Sequence, residues 1–142
     1  MTETTGRRTF KIGAGLLILT GLVHSISLFV KQAPANDTER QLLDLMNGYT
    51  FHLPGAIRTM SELMRGFSIA FMLGILAFGV LDFAVSGERV ALLKRVAWVN
   101  IIWLALMIAV SLRYFFLIPL SFLIACFVPF VIVVLTLRSE TA

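Results

Sequence analysis

Four long apolar stretches decide what this chain can fold into. They cover about residues 10–30, 61–85, 90–112 and 117–137, and each is as long as the roughly twenty residues a helix needs to cross a hydrocarbon core. Hydrocarbon offers the backbone no water, so each stretch has to close its own hydrogen bonds as a helix. The sequence therefore predicts an all-α fold, a four-transmembrane-helix bundle. It forms one membrane domain over residues 1–142, with a single long external loop at 31–60. Of all residues 58% are apolar and only 14% charged, against about 25% charged in soluble domains.

Orientation follows from Lys and Arg, which favour cytoplasmic flanks. Arg7, Arg8, Lys11, Arg89, Lys94, Arg95 and Arg138 fall on one side, seven in all, and Lys31, Arg40, Arg58, Arg65 and Arg113 fall on the other, five in all. That places both termini in the cytoplasm and makes the chain a multi-pass protein of a bacterial inner (plasma) membrane. The net charge of +4 is thereby accounted for by topology, and nucleic acid is not expected as a partner. One cysteine, Cys126, lies inside the last apolar stretch, which rules out an intramolecular disulfide and a cysteine-based metal site. His-Glu-x-x-His, a glycine-rich phosphate loop and Gly-x-Ser-x-Gly are all missing. His24 is the one histidine within a span, which argues against haem. No cofactor and no metal are expected.

Local signals concentrate where the loop meets the second span. Pro54 and Gly55 punctuate the backbone. Thr59 and Glu62 have capping-box spacing. Arg58, Glu62 and Arg65, spaced four and then three, share one helix face. Further along, Gly66, Ala70, Gly74 and Ala77 make a small-residue stripe of the kind that admits a neighbouring helix. In the first span Thr20, His24, Ser27 and Lys31 form a polar stripe. Within the loop, Asp37 or Thr38 caps a short helix to about Asn47, with Leu42, Leu45 and Met46 on one face. Asp82 marks the far interface of the second span. Asn100, deep in the third, calls for an interhelical hydrogen bond.

In this topology His24, Arg58, Glu62, Arg65, Arg113 and Tyr114 all occupy the external leaflet, and together they form the candidate site. One reading is an interfacial ion network whose charges reach the headgroups. The other is an anion or lipid-headgroup pocket. There Arg65 and Arg113 clamp the ligand, Glu62 orients them and His24 carries a proton. On the second reading, Glu62 neutralises cations inside a desolvated pocket.

Met46-Asn-Gly-Tyr-Thr-Phe51, then Gly55, Arg58-Thr59, Glu62-Leu63 and Gly66-Phe67-Ser68, resemble a family of small bacterial four-helix integral membrane proteins. Tyr114-Phe115-Phe116-Leu-Ile-Pro119 is similar to the family's Tyr-Phe-Phe-x-x-Pro before its last span, and His24 to a histidine in its first. Glu62 stands where that family commonly has Asp. The family brings no activity with it. Its layout is loosely similar to that of DoxX-like proteins, which implies a redox accessory role. Two functions follow as expectations. One is a non-catalytic membrane component that binds lipid, a membrane-protein partner or further copies of itself, with a polar pocket at its outer face. The other is a small membrane enzyme, proton-coupled carrier or redox accessory using His24 and Glu62.

Overall fold

The computed structural model describes residues 2–30 and 33–137; Lys31 and Arg138, used above in the stripe and the charge count, lie outside them. In chain order the elements are α1 (Glu3–Ser27), α2 (Asp37–Gly48), β1 (Thr50–Leu53), β2 (Ala56–Thr59), α3 (Met60–Val85), α4 (Val90–Tyr114) and α5 (Leu117–Thr136). Among the described residues, α1, α3, α4 and α5 are long and apolar enough to cross a membrane. The all-helical expectation thus holds for the bulk of the chain. Two compact units can be distinguished. One runs to Leu22 and resumes at Ile75, and the other is Val23–Gly74.

In the first unit, α1, α4 and α5 share a core that includes Phe10, Leu17, Ala97, Leu104, Cys126 and Phe130. Apolar lipid gives helices little reason to associate, so close packing has to hold them together. Along α1, Gly6, Gly13 and Thr20 are spaced by seven, the period that keeps one seam facing a partner. Leu137 fills the space at Gly6, and the Phe130 ring lies over Gly13, where a Cβ would come within 2.9 Å of Cζ. Thr20 Oγ1 lies 3.4 Å from Cys126 Sγ and donates to Leu16 O at 2.8 Å. Phe10 meets Phe130 edge-on at 5.5 Å. Since α5 descends as α1 rises, the start of α1 and the end of α5 lie together.

Closest approach to α3 is through other glycines. Leu76 occupies the space at Gly21, and at Gly79 a Cβ would stand 2.9 Å from Ile18 N and 3.0 Å from Ala14 O. Gly66 and Gly74, members of the predicted small-residue stripe, have open space before them. Gly79 is five residues past Gly74, about 140° around the helix, so the stripe and the contact occupy different faces. At the end of α3, Arg7 Nη1 donates to Ser86 O at 3.3 Å and Glu88 O at 2.6 Å, while Arg7 pairs with Glu3 at 2.8 Å. The start of α1, the α3–α4 turn and the end of α5 therefore gather at one end of this unit.

The second unit includes the segment that the sequence reading took as an external loop carrying one short helix. The cap of α2 is Asn36, one residue before the earlier of the two expected caps, and its Oδ1 accepts from Glu39 N at 2.9 Å. After it comes an antiparallel hairpin with Thr50 opposite Thr59 and Leu53 opposite Ala56. Pro54 and Gly55 form its turn. Gly55 has φ +79°, the value that the third position of a type II turn requires and that only glycine adopts cheaply, after a proline in the second. The hairpin escaped the sequence reading because β2 runs straight into the first turn of α3, so that its residues read as a helix start.

The glycine contacts predict a contrast. Gly79→Ala has backbone in its way and should cost about 1–3 kcal/mol, the range for overpacking. Gly74→Ala enters open space and should be neutral, or stabilise by up to about 1 kcal/mol through helix propensity. Unfolding of the two variants in mixed micelles measures the difference, and equal midpoints would remove Gly79 from the packing.

Candidate functional site

The start of α3 is built by a reciprocal bond. Glu62 N donates to Thr59 Oγ1 at 3.2 Å, and Thr59 N donates to Glu62 Oε2 at 2.8 Å. This is the capping box that the spacing of the two residues indicates, and the carboxylate also faces the positive end of the helix dipole. Glu62 is exposed, as are Arg58 and Arg65. Arg58 turns back along its own strand, with Nη1 donating to Ile57 O at 2.7 Å. Among the described residues Glu3–Arg7 is the one ion pair. Glu62 therefore serves backbone N–H groups, and neither Arg58 nor Arg65 has a carboxylate partner there.

The half-buried His24 belongs to the same unit. Its ring stands edge-on to Phe71 at 5.1 Å, and its Nε2 is buried with no hydrogen-bond partner among the described residues. Ser27 of the same stripe donates to the His24 carbonyl at 2.6 Å. Arg113 and Tyr114 are in the other unit, in the last turn of α4. Both are exposed, and the guanidinium carbon of Arg113 lies 5.6 Å from the centre of the Tyr114 ring.

A second polar cluster was not singled out from the sequence. Asp82 on α3 and Asn100 on α4 are 3% and 1% exposed. Asn100 uses both amide hydrogens, donating to Asp82 Oδ2 at 2.8 Å and to Val96 O at 3.2 Å. Its Oδ1 is buried without a partner among the described residues. The interhelical bond expected of Asn100 is present, but its acceptor is an acidic residue that the sequence reading placed at the interface. Two polar residues in apolar stretches on either side of one tight turn were the available signal. No group of three or more His, Cys, Asp or Glu able to hold a metal occurs among the described residues.

Comparison with protein-family models, with curated proteins and with solved structures finds no match to this chain.

Two substitutions separate the clusters. Glu62→Gln keeps a side chain that can fill the capping box, and at this exposed site it should stay within about 0.5 kcal/mol of wild type. Asn100→Ala deprives a buried carboxyl of its hydrogen bond and should cost about 1–3 kcal/mol. Thermal unfolding in detergent compares them directly. A Glu62→Gln loss as large as that of Asn100→Ala would show that Glu62 does more than cap.

Proposed function

We propose that this chain is an integral membrane component that crosses the bilayer four times with both termini cytoplasmic, and that it works by binding anionic lipid headgroups at its outer face rather than by catalysis. The observation that carries this is the state of the charges at the start of α3. Glu62 is engaged with backbone, and the exposed guanidinium groups of Arg58 and Arg65 have no carboxylate partner among the described residues. Such groups suit phosphate, which they can engage with two parallel N–H donors. Around them Leu53, Ile57, Met60, Met64 and Phe67 are exposed apolar side chains, suited to the level where headgroups meet acyl chains. The topology is supported by the gathering of the start of α1, the α3–α4 turn and the end of α5, since an even number of crossings returns the chain to its starting side. Membership of the resembling four-helix family is part of the same proposal.

One observation favours a second reading, a proton-coupled carrier or small enzyme centred on His24. An imidazole nitrogen buried with no partner among the described residues is held at a cost, and a role in carrying a proton would account for it.

Two measurements test these readings. Reporter fusions at Arg89 and Arg138 should read cytoplasmic and a fusion at Asp37 external; an external reading at Arg138 sinks the topology. Native mass spectrometry of protein in phosphatidylglycerol should show headgroup retention that falls roughly thirtyfold in Arg58→Gln/Arg65→Gln, at about 1 kcal/mol for each cation near the surface. Equal retention would exclude the headgroup site. If His24→Asn retains lipid but loses cellular function between about pH 5 and 8, where histidine titrates, the second reading replaces the first.

A further inference from the structure

The α3–α4 groove has a chemistry that the outer cations do not share. It encloses about 200 Å³ and is lined by Phe78, Leu81, Asp82, Val96, Val99 and Asn100, with Val85 at its margin. Leu81 and Val99 are more than half exposed and form its open rim, while Asp82 and Asn100 are almost fully covered. Every wall residue is apolar. Both amide hydrogens of Asn100 are committed, to Asp82 and to Val96 O. With Asp82 ionised, the polar floor offers acceptors only: its carboxylate, and an Asn100 Oδ1 that is buried with no donor among the described residues.

The cations at this end of the unit do not neutralise Asp82. Arg7 is bonded to Glu3 and to the carbonyls of Ser86 and Glu88. Lys11 Nζ lies 5.9 Å from the centre of the Phe83 ring. Asp82 makes no ion pair among the described residues. An acceptor-only floor beneath apolar walls selects a ligand that donates hydrogen bonds, carries positive charge and is otherwise hydrophobic. Buried acceptors left unpaired reject molecules lacking the donor far more strongly than they reject a change of shape.

We propose that the groove between α3 and α4 is a binding site for a hydrophobic organic ammonium ion, with Asp82 and Asn100 Oδ1 receiving its N–H groups and Phe78, Leu81, Val96 and Val99 covering its apolar body. On the four-span reading the bilayer supplies the route, because the rim is formed by the exposed apolar side chains of Leu81 and Val99. Asn100 also orients the site, since its bond to Asp82 Oδ2 fixes one carboxyl oxygen and leaves the other for the ligand.

Trp103 provides the readout. It stacks on Phe78 with ring centres 4.8 Å apart and planes 13° from parallel, so a ligand against Phe78 alters its emission. In Trp98→Phe protein, which leaves Trp103 as the sole tryptophan, 1-aminoadamantane should give saturable quenching in nanodiscs. 1-Adamantanol, equally bulky but uncharged, should bind at least about tenfold more weakly, a difference of about 1.4 kcal/mol. Asp82→Asn should lose at least as much affinity. Val99→Trp, made with Trp98→Phe and followed by calorimetry, obstructs the exposed rim without touching the polar pair and should abolish binding even where Asp82→Asn folds poorly. Absence of saturable binding to wild type, equal affinity for the alcohol, or unchanged binding in Val99→Trp would each overturn the proposal. So would a wild-type dimer that Asp82→Asn dissociates with no amine bound, because the donor would then come from a second copy of the chain.

Discussion

Hydrocarbon supplies no hydrogen bonds, and the rest of this structure depends on that. Backbone groups close into long helices because nothing else would satisfy them. Side chains follow the same rule. Thr20 donates to Leu16 O and Ser121 to Ile118 O, each within its own helix, and Ser86, just past α3, donates back to Phe83 O. Asn100 cannot satisfy itself in this way, because an amide has two donors and an acceptor. It therefore binds α4 to α3 through Asp82, and its remaining oxygen has no partner among the described residues.

Where the solvent is as apolar as the side chains, contact has to come from shape. Gly13 lets the Phe130 ring lie against α1, and Gly79 brings α3 against the Ile18 side chain and the α1 backbone. The aromatic pair Phe10–Phe130 then adds roughly 0.5–1.5 kcal/mol beyond its buried area. Burial elsewhere is sparse. Leu19, Leu81, Leu106 and Leu135 are close to half exposed or more, which in water would be an aggregation hazard and in a bilayer is simply the surface facing lipid.

This explains what could be read from the sequence. Length and apolar content identify a span without knowledge of its partners, so α3, α4 and α5 fall within a few residues of their expected bounds, while α1 begins earlier, at Glu3. The Thr59–Glu62 box is equally local and forms as its spacing indicates. Which glycine meets a neighbour is a property of two helices at once, and a periodic stripe on one of them chose Gly74 where the contact uses Gly79. The hairpin shows a different difficulty. Its strands have four residues each, too few for a convincing alternation, and the second ends where the helix cap begins. Asp82 lies near the end of α3, where the sequence reading put the far interface, but its bond to an amide on α4 belongs to two helices and was not legible in one.

At both polar clusters, backbone groups take up charged side chains, although Arg7 also pairs with Glu3. Glu62 accepts from Thr59 N, which leaves Arg58 and Arg65 without an internal anion among the described residues. Arg7 donates to the carbonyls beyond the end of α3, which leaves Asp82 with an amide as its partner. Helix ends produce this outcome because their unpaired N–H and C=O groups compete for the same side chains that would otherwise form ion pairs. In water the competition matters little, since solvent supplies whatever is missing. In and beside a bilayer each charge left over keeps its capacity to bind something from outside the chain. On the proposed readings, the exposed guanidiniums at one cluster take an anion and the covered carboxyl at the other a cationic donor. Competition at helix ends would then set both where ligands bind and the sign of charge each site accepts.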